Sequence, residues 1–324
     1  MKYFVISDVH SFFIEMKEAL EQAGFRKTDP NHTLIVAGDL FDRGPDAIKV
    51  YNYIRSIPKS RRILIRGNHE QLLLDLLLKT YPEGHDFSNG TADTVCQLAG
   101  GDVHELSEYK VWQEDDITYD YPNWCKEFWV EWRDKAKKHP IVKWLRSKEW
   151  RDYYELDRFI IVHSFIPVKL REGYESFRFM PYWRLSEKLL EYDGDWRNGY
   201  WPDAMWGCPW SQYQRGFFQP EEDKGKTLVC GHWHTSDFFS HLKNIHLKEF
   251  PGPIYYSKGL IGIDGGCCSK YDILLDDYVY THPQNVLVID ENFKCFDKFG
   301  NELVEPEALP EIETIPAVEV ESDE

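Results

Sequence analysis

Three things are scarce in this 324-residue chain, and each scarcity narrows what it does. Positive charge is the first. Lys and Arg number 38 against 55 Asp and Glu, a net charge of −17. Proteins that grip nucleic acid neutralise phosphates, so this balance argues against that role. It leaves open small phosphorylated substrates held by a local metal or arginine cluster. Paired cysteines are the second. The seven cysteines (96, 125, 208, 230, 267, 268, 295) are scattered, odd in number and without a CxxC motif. Free thiols in a reducing cytoplasm account for them. Long apolar runs are the third. None is long enough to span a bilayer, and the opening MKYFVIS is not followed by a signal-like apolar stretch. The expected location is cytoplasmic.

Core-forming material is plentiful, with 42% apolar and 15% aromatic residues. That suffices for one large α/β domain with an insertion or for two domains, and a single domain over 1–300 is expected. Short apolar runs at 2–6, 33–37 and 62–66 predict strands. Between them, Phe12, Phe13, Met16, Leu20 and Ala23 recur at helical spacing, as do Ala47, Ile48, Tyr51 and Ile54, and 70–79 reads EQLLLDLLLK. Strand patterns return at 159–163, 227–231, 260–264 and 285–289. Continuous apolar strands between helices predict a sheet covered by helices.

Residues 80–155 are different: polar, acidic and aromatic. Eleven of the twelve tryptophans lie between 112 and 210, and Trp124, Phe128 and Trp132 fall at i, i+4 and i+8. A mainly helical insertion is expected here, its aromatics anchoring it to the core rather than touching ligand. Residues 301–324 form an acidic tail, with eight acids from Glu305 onward, three prolines and no Lys or Arg after Asn301. Disorder is expected there.

Five strings carry chemistry, each at or just past a predicted strand end: SDVHS (7–11), GDLFDRG (38–44), RGNHE (66–70), VHS (162–164) and CGHWHT (230–235). Any one alone is as easily structural as functional. Five at the same kind of location are hard to assign to accident, because open α/β sheets build sites beyond the carboxyl ends of strands. Together they supply three Asp, five His and one Asn. Carboxylate, imidazole and amide oxygen suit Mn²⁺, Fe, Zn²⁺ or Mg²⁺. Two such ions roughly 3.5–4 Å apart can activate a water and hold both oxygens of an in-line displacement. The lone Cys230 argues against structural zinc. Other histidines (32, 85, 104, 139, 241, 246, 282) have no companion strings and read as surface or loop residues.

The ordered set resembles the calcineurin-like metallophosphoesterases. Its DRG and GNHE forms resemble the serine/threonine phosphoprotein phosphatase branch, with its bacterial and phage members and the related symmetrical diadenosine tetraphosphatases. The likeness covers about 1–80, 86–98 and 150–290, including SNGTADT (88–94) and YYELDRFIIVHSFIP (153–167). It implies a four-layer α/β/β/α sandwich with a mainly helical insertion and two divalent metals, Mn²⁺ first, with Fe, Zn²⁺ or Mg²⁺ as alternatives. Asp8, His10 and, least securely matched, His234 would bind the first metal. Asn68, His163 and His232 would bind the second, and Asp39 would bridge. His69 would protonate the leaving oxygen, oriented by Asp42. Arg43, and Arg215 in MWGCPWSQYQRG, would hold phosphate. Two departures stand out: Ser11 where the family usually has Gly, and Ser164-Phe165 for Ala-Gly, with Phe165 expected to pack inward.

The resemblance therefore implies phosphomonoester hydrolysis of the serine/threonine protein phosphatase type by a two-metal-activated hydroxide. The alternative is a symmetrical dinucleoside polyphosphate hydrolase. A non-catalytic phospho-ligand binding protein ranks third, since a site that only binds needs no leaving-group acid. The expected partner is a phosphorylated protein or a small phosphorylated or nucleotide substrate, not a membrane.

Overall fold

The computed structural model describes residues 1–101, 123–174, 176, 180–181, 184–247, 252–266, 271–272, 277–278 and 284–305. In chain order the first elements are β1 Lys2–Ile6, α1 Phe13–Gln22, β2 His32–Ala37, α2 Ala47–Ser56, β3 Arg62–Ile65, α3 Asn68–Leu76, α4 Gly84–Ser88 and α5 Thr91–Ala99. Helices Asn123–Ala136 and Pro140–Leu145 follow, then β4 Trp150–Arg151, β5 Tyr153–Glu155, β6 Phe159–Val162, β7 Val168–Leu170 and β8 Leu190–Tyr192. Helices Trp201–Ala204 and Pro209–Gln214 lead to β9 Thr227–Cys230, helix Thr235–Lys243, β10 Tyr255–Ser257 and β11 Leu260–Gly262. The last strands are β12 Tyr271–Asp272, β13 Asp277–Tyr278, β14 Leu287–Ile289 and β15 Cys295–Phe296.

Strands buried on both faces must find two apolar partners, and these do so by stacking two sheets. One sheet has the order β15-β14-β1-β2-β3-β4, with β1 to β4 parallel. The other runs β10-β11-β9-β6-β5, with β11, β9 and β6 parallel. Alternate side chains divide between layers. Val5, Ile35, Ala37 and Ile65 of the first sheet meet Ile161, Val229 and Ile261 of the second in an inner core. Phe4, Ile6, Leu34, Val36 and Leu64 face outward beneath Met16, Leu20, Val50, Ile54 and Leu73 of α1, α2 and α3. On the far side, Ile160, Val162, Leu228 and Leu260 pack under Trp201, Phe238 and Phe239. Three apolar layers between four structural ones make the α/β/β/α sandwich. Each fully buried Leu, Ile or Val in it contributes roughly 1.5–3 kcal/mol.

Part of the stretch 80–155 joins the outer helical layer. Trp129, Trp132 and Trp144 are buried in the core under that layer, and the Phe128 and Trp132 rings lie 3.8 Å apart. Trp144 meets Phe41 edge to face at 6.4 Å, so it braces the GDLFDRG loop. Residues 102–122 and the side chain of Trp124 lie outside the described residues, as do Cys267, Cys268 and 306–324. Of the stretch expected as a tail, residues 301–305 are described. Asn301 accepts the N–H of Asp297, and Leu303 donates to Cys295 at 2.8 Å, extending the edge of the first sheet. His32 also departs from expectation. It opens β2, is buried between Phe4 and Phe25, and its Nδ1 accepts the Arg26 N–H. Among the described residues no helix is long and apolar enough to cross a membrane.

Candidate metal centre

The carboxyl ends of β1, β2, β3, β6 and β9 meet at one edge of the sandwich. They deliver Asp8, Asp39, Asn68, His163 and His232 to a common point. The loops there turn sharply. Asp8, His10, Ser11, Asp39, Asp42, Arg43 and His232 all have left-handed backbones, with φ between 47° and 73°. That is seven of the ten such non-glycine residues among those described, and each costs about 1–2 kcal/mol. Cross-bonds hold the strain in place. Asp8 donates its N–H to Gly38, His10 to Asp39 and Ser11 to Leu40, at 2.9–3.1 Å. Ser11 thus occupies the conformation that explains why glycine is usual at its position.

Two glycines make room for carboxylates. A Cβ on Gly67 would lie 2.1 Å from Asp39 Oδ1, and one on Gly231 would lie 2.2 Å from Asp8 Oδ2. Glu70 ties these loops together. Its Oε1 accepts the Leu40 N–H at 2.8 Å, and its Oε2 accepts those of Asp39 and Gly67 at 2.9 and 2.8 Å. Burial and the nearby Asp39 charge push its carboxyl up to about 7.

At the centre, acceptors face acceptors. His163 Nδ1–H donates to the Ala37 carbonyl at 2.9 Å, which leaves the Nε2 lone pair pointing inward. That Nε2 lies 2.8 Å from Asn68 Oδ1, 3.2 Å from His232 Nδ1 and 3.5 Å from Asp39 Oδ2. With Nδ1–H given to Ala37, His163 Nε2 faces the oxygens of Asn68 and Asp39, an arrangement that a cation would satisfy. His10 is set the same way: Nδ1–H donates to Phe41 and Nε2 lies 3.9 Å from Asp39 Oδ2. Nitrogen and oxygen donors of this mix suit a borderline divalent ion. Atoms of Asp8, Asp39, His163 and His232 lie within 4.8 Å of one another, as do those of His10, Asp39 and His69. Asp39 belongs to both groups. A third group, Glu83, His85 and Asp86, surrounds the Lys79 ammonium at the surface and has its cation already.

The electrostatics agree with this geometry. Burial, with the charges of Asp264 and Asp39, pushes the Asp8 carboxyl well up. Burial pulls Asp39 up too, but His163, His69 and His232 outweigh it and hold it down. Burial and the Arg43 charge hold His10 well below its usual range, and burial with His163 brings His232 down to about 3. Both shifts favour the neutral imidazole, the form that ligates a metal.

His69 is placed differently. Its Nδ1–H donates to Asp42 Oδ2 at 2.8 Å, while Nε2 lies 3.9 Å from Asp39 Oδ2. Burial works against its protonation, but Asp39 and the Asp42 bond overcome it and raise its pKa. Asp42 is fixed in turn by Thr91 and Thr94, whose hydroxyls donate to it at 2.8 Å. Arg43 follows directly and its charge reaches His10, His69 and His232. The structure does not bring every candidate into the buried cluster. His234 is 40% exposed at its side chain, with Nε2 4.0 Å from Asp264 Oδ2. Arg215 stands exposed at the end of helix Pro209–Gln214. Phe165 is buried in the core under the second sheet.

Four residues escaped notice as contributors. Glu70 lies inside RGNHE, and Thr91 and Thr94 lie inside SNGTADT, so the strings contained them without indicating their bonds. Asp264, whose charge raises Asp8, is a single acid at a strand end and carried no signal.

Residues 1–236 match the family model described as calcineurin-like phosphoesterase. The chain belongs to that family. This phosphoesterase is 35% identical over 137 residues to a symmetrical bis(5'-nucleosyl)-tetraphosphatase of Hamiltonella defensa, covering 39% of this chain and 47% of that protein. It is 28% identical over 125 residues to the protein of the same name from Colwellia psychrerythraea, covering 39% and 40%. The chain thus spans less than half the length of these curated relatives. Solved structures similar to it include a protein-tyrosine phosphatase of a psychrophilic Shewanella (16% identity, 93% of this chain and 79% of that one, TM-score 0.45). Another is a serine/threonine phosphatase from Saccharomyces cerevisiae (13% identity, 96% and 82%, TM-score 0.42). As a family member, the phosphoesterase is a metal-dependent hydrolase.

Proposed function

We propose that this phosphoesterase hydrolyses dinucleoside polyphosphates symmetrically, as its curated relatives are named for doing. The first expectation, a serine/threonine protein phosphatase, rests on DRG and GNHE strings that both readings share. The relatives' names favour the dinucleotide. The observation that carries the chemistry is the set of buried acceptors converging on Asp39 Oδ2. Asp8, His10 and His234 would hold one divalent ion, Asn68, His163 and His232 a second, and Asp39 both, with manganese the first choice. Such ions, when bound, supply charge that polarises phosphoryl oxygens and acidifies water.

The protein's own groups do the rest. Asp42 holds His69 so that Nε2–H points into the centre, where it protonates the departing phosphate oxygen. Arg43 would clamp phosphate oxygens with its planar fork, and Arg215 would be a second phosphate contact. The cytoplasm, where its free cysteines stay reduced, is its place of work. The test is hydrolysis by metal-stripped protein refilled with Mn²⁺. Diadenosine tetraphosphate, a phosphoserine peptide and p-nitrophenyl phosphate are compared side by side. The dinucleotide should be turned over best, and preference for the peptide would restore the protein phosphatase reading.

A further inference from the structure

Beside the metal centre lies a cavity of 480 Å³, within the roughly 300–1,000 Å³ typical of small-molecule pockets. Two of its walls continue directly from ligand candidates. Ile166 and Val168 follow His163, and Trp233 follows His232. A third wall, with Trp206 and Gln212, comes from 201–214. The Trp206 and Trp233 rings lie 6.1 and 6.3 Å from the His232 ring. The Trp233 indole N–H donates to the Gly207 carbonyl at 2.9 Å, which also accepts from Ser164 at 2.8 Å. These bonds fix an indole that lines the cavity beside His232.

We infer that this cavity takes a nucleobase of the substrate. Its ring would lie against the tryptophans beside His232, and the sugar and phosphates would lead back to the metal centre. The inference rests on the dinucleotide reading and names the residues that would hold the base. The ring of a phosphotyrosine would fill the same apolar walls, and the test below separates the two.

The test uses the Mn²⁺-loaded full chain with two variants. Trp233→Ala removes a partly exposed indole. Ser186→Trp plugs the cavity from its exposed rim without opening the core. Two quantities are read. One is the ratio of kcat/KM for diadenosine tetraphosphate to that for inorganic tetraphosphate, the same phosphate chain without bases. The other is the Kd for AMP by calorimetry. Both variants should lower the ratio and weaken AMP binding by about 5- to 150-fold, the range one stacked base supplies. If the wild type cleaves the dinucleotide and neither quantity moves in either variant, the pocket assignment is overturned while the function stands. If the wild type does not cleave it, yet binds AMP and loses that binding in the variants, the pocket stands and the function falls. Unchanged AMP binding, with loss of turnover of a phosphotyrosine peptide, would assign the cavity to an aryl group instead.

Discussion

Thr94 gives the sharpest test of how the leaving-group acid is positioned. Its hydroxyl is fully buried and makes two bonds to Asp42, donating to Oδ1 at 2.8 Å and accepting the backbone N–H at 3.0 Å. Thr91 makes one, to Oδ2. Valine keeps the shape of threonine and loses the hydroxyl. Thr94→Val therefore deletes a bond to a carboxylate, about 1.5–3 kcal/mol, and strands a buried N–H, about 1–3 kcal/mol. The sum, about 2.5–6 kcal/mol, is a large part of the 5–15 kcal/mol that usually separates folded from unfolded chains. Thr91→Val deletes only the first of these, about 1.5–3 kcal/mol. Urea unfolding followed by circular dichroism should rank the variants in that order. Both should also lose kcat, because Asp42 would hold His69 less firmly, and Thr94→Ser should recover most of both losses. If Thr94→Val costs no more than Thr91→Val, or if serine does not rescue, the two-bond account of Asp42 is wrong.

His69→Asn should leave metal content near normal and cut turnover on the order of 10²–10⁴-fold, checked by elemental analysis beside steady-state rates; unchanged turnover would remove His69 as the acid. Asp39→Asn should lose metal together with activity, and a variant still holding two ions would refute the bridging role. Gly231→Ala drives a Cβ to 2.2 Å from Asp8 Oδ2 and 2.3 Å from Ser7 Oγ, an overpacking worth about 1–3 kcal/mol that should also weaken metal affinity in calorimetric titration. Ser11→Gly should act in the opposite direction. It relieves a left-handed non-glycine residue and a buried hydroxyl with no partner, and should stabilise by about 1 kcal/mol, raising Tm by about 2–4 °C.

The main strands were legible because burial on both faces writes continuous apolar runs. The run at 33–37 reappears as β2 His32–Ala37, and that at 159–163 as β6 Phe159–Val162. The ligand strings were legible because metal chemistry needs particular residue types at strand ends. What could not be read is what arises only when distant segments meet. The two-residue strands β4 and β15 owe their pairing to neighbours, not to a pattern of their own. His32 read as a loop residue because a single imidazole carries no sign of the Phe4 and Phe25 rings that enclose it. Asp264 is one acid among 55 until the fold sets it beside Asp8 and His234. The cavity is assembled from residues between 166 and 233 that share no spacing.

The strained loops explain why the centre sits where it does. Seven left-handed residues at about 1–2 kcal/mol each would cost about 7–14 kcal/mol, comparable to the whole net stability of a domain. Such loops persist only where the surroundings over-determine them. Three devices here do so. The β1 and β2 loops exchange backbone bonds, so neither relaxes without breaking the other. Glu70 gathers three N–H groups from the second and third loops onto one carboxylate. Trp144 backs Phe41 in the middle of the second loop. The last device draws on a segment outside the strings that carry the ligands, which gives the helices between 84 and 145 a positioning role at the centre as well as a packing one. α5 supplies the threonines on Asp42 and the later helix supplies the tryptophan behind Phe41. The same bonds that hold a costly backbone in place therefore set the distances between Asp39, His69 and Asp42 on which the chemistry depends.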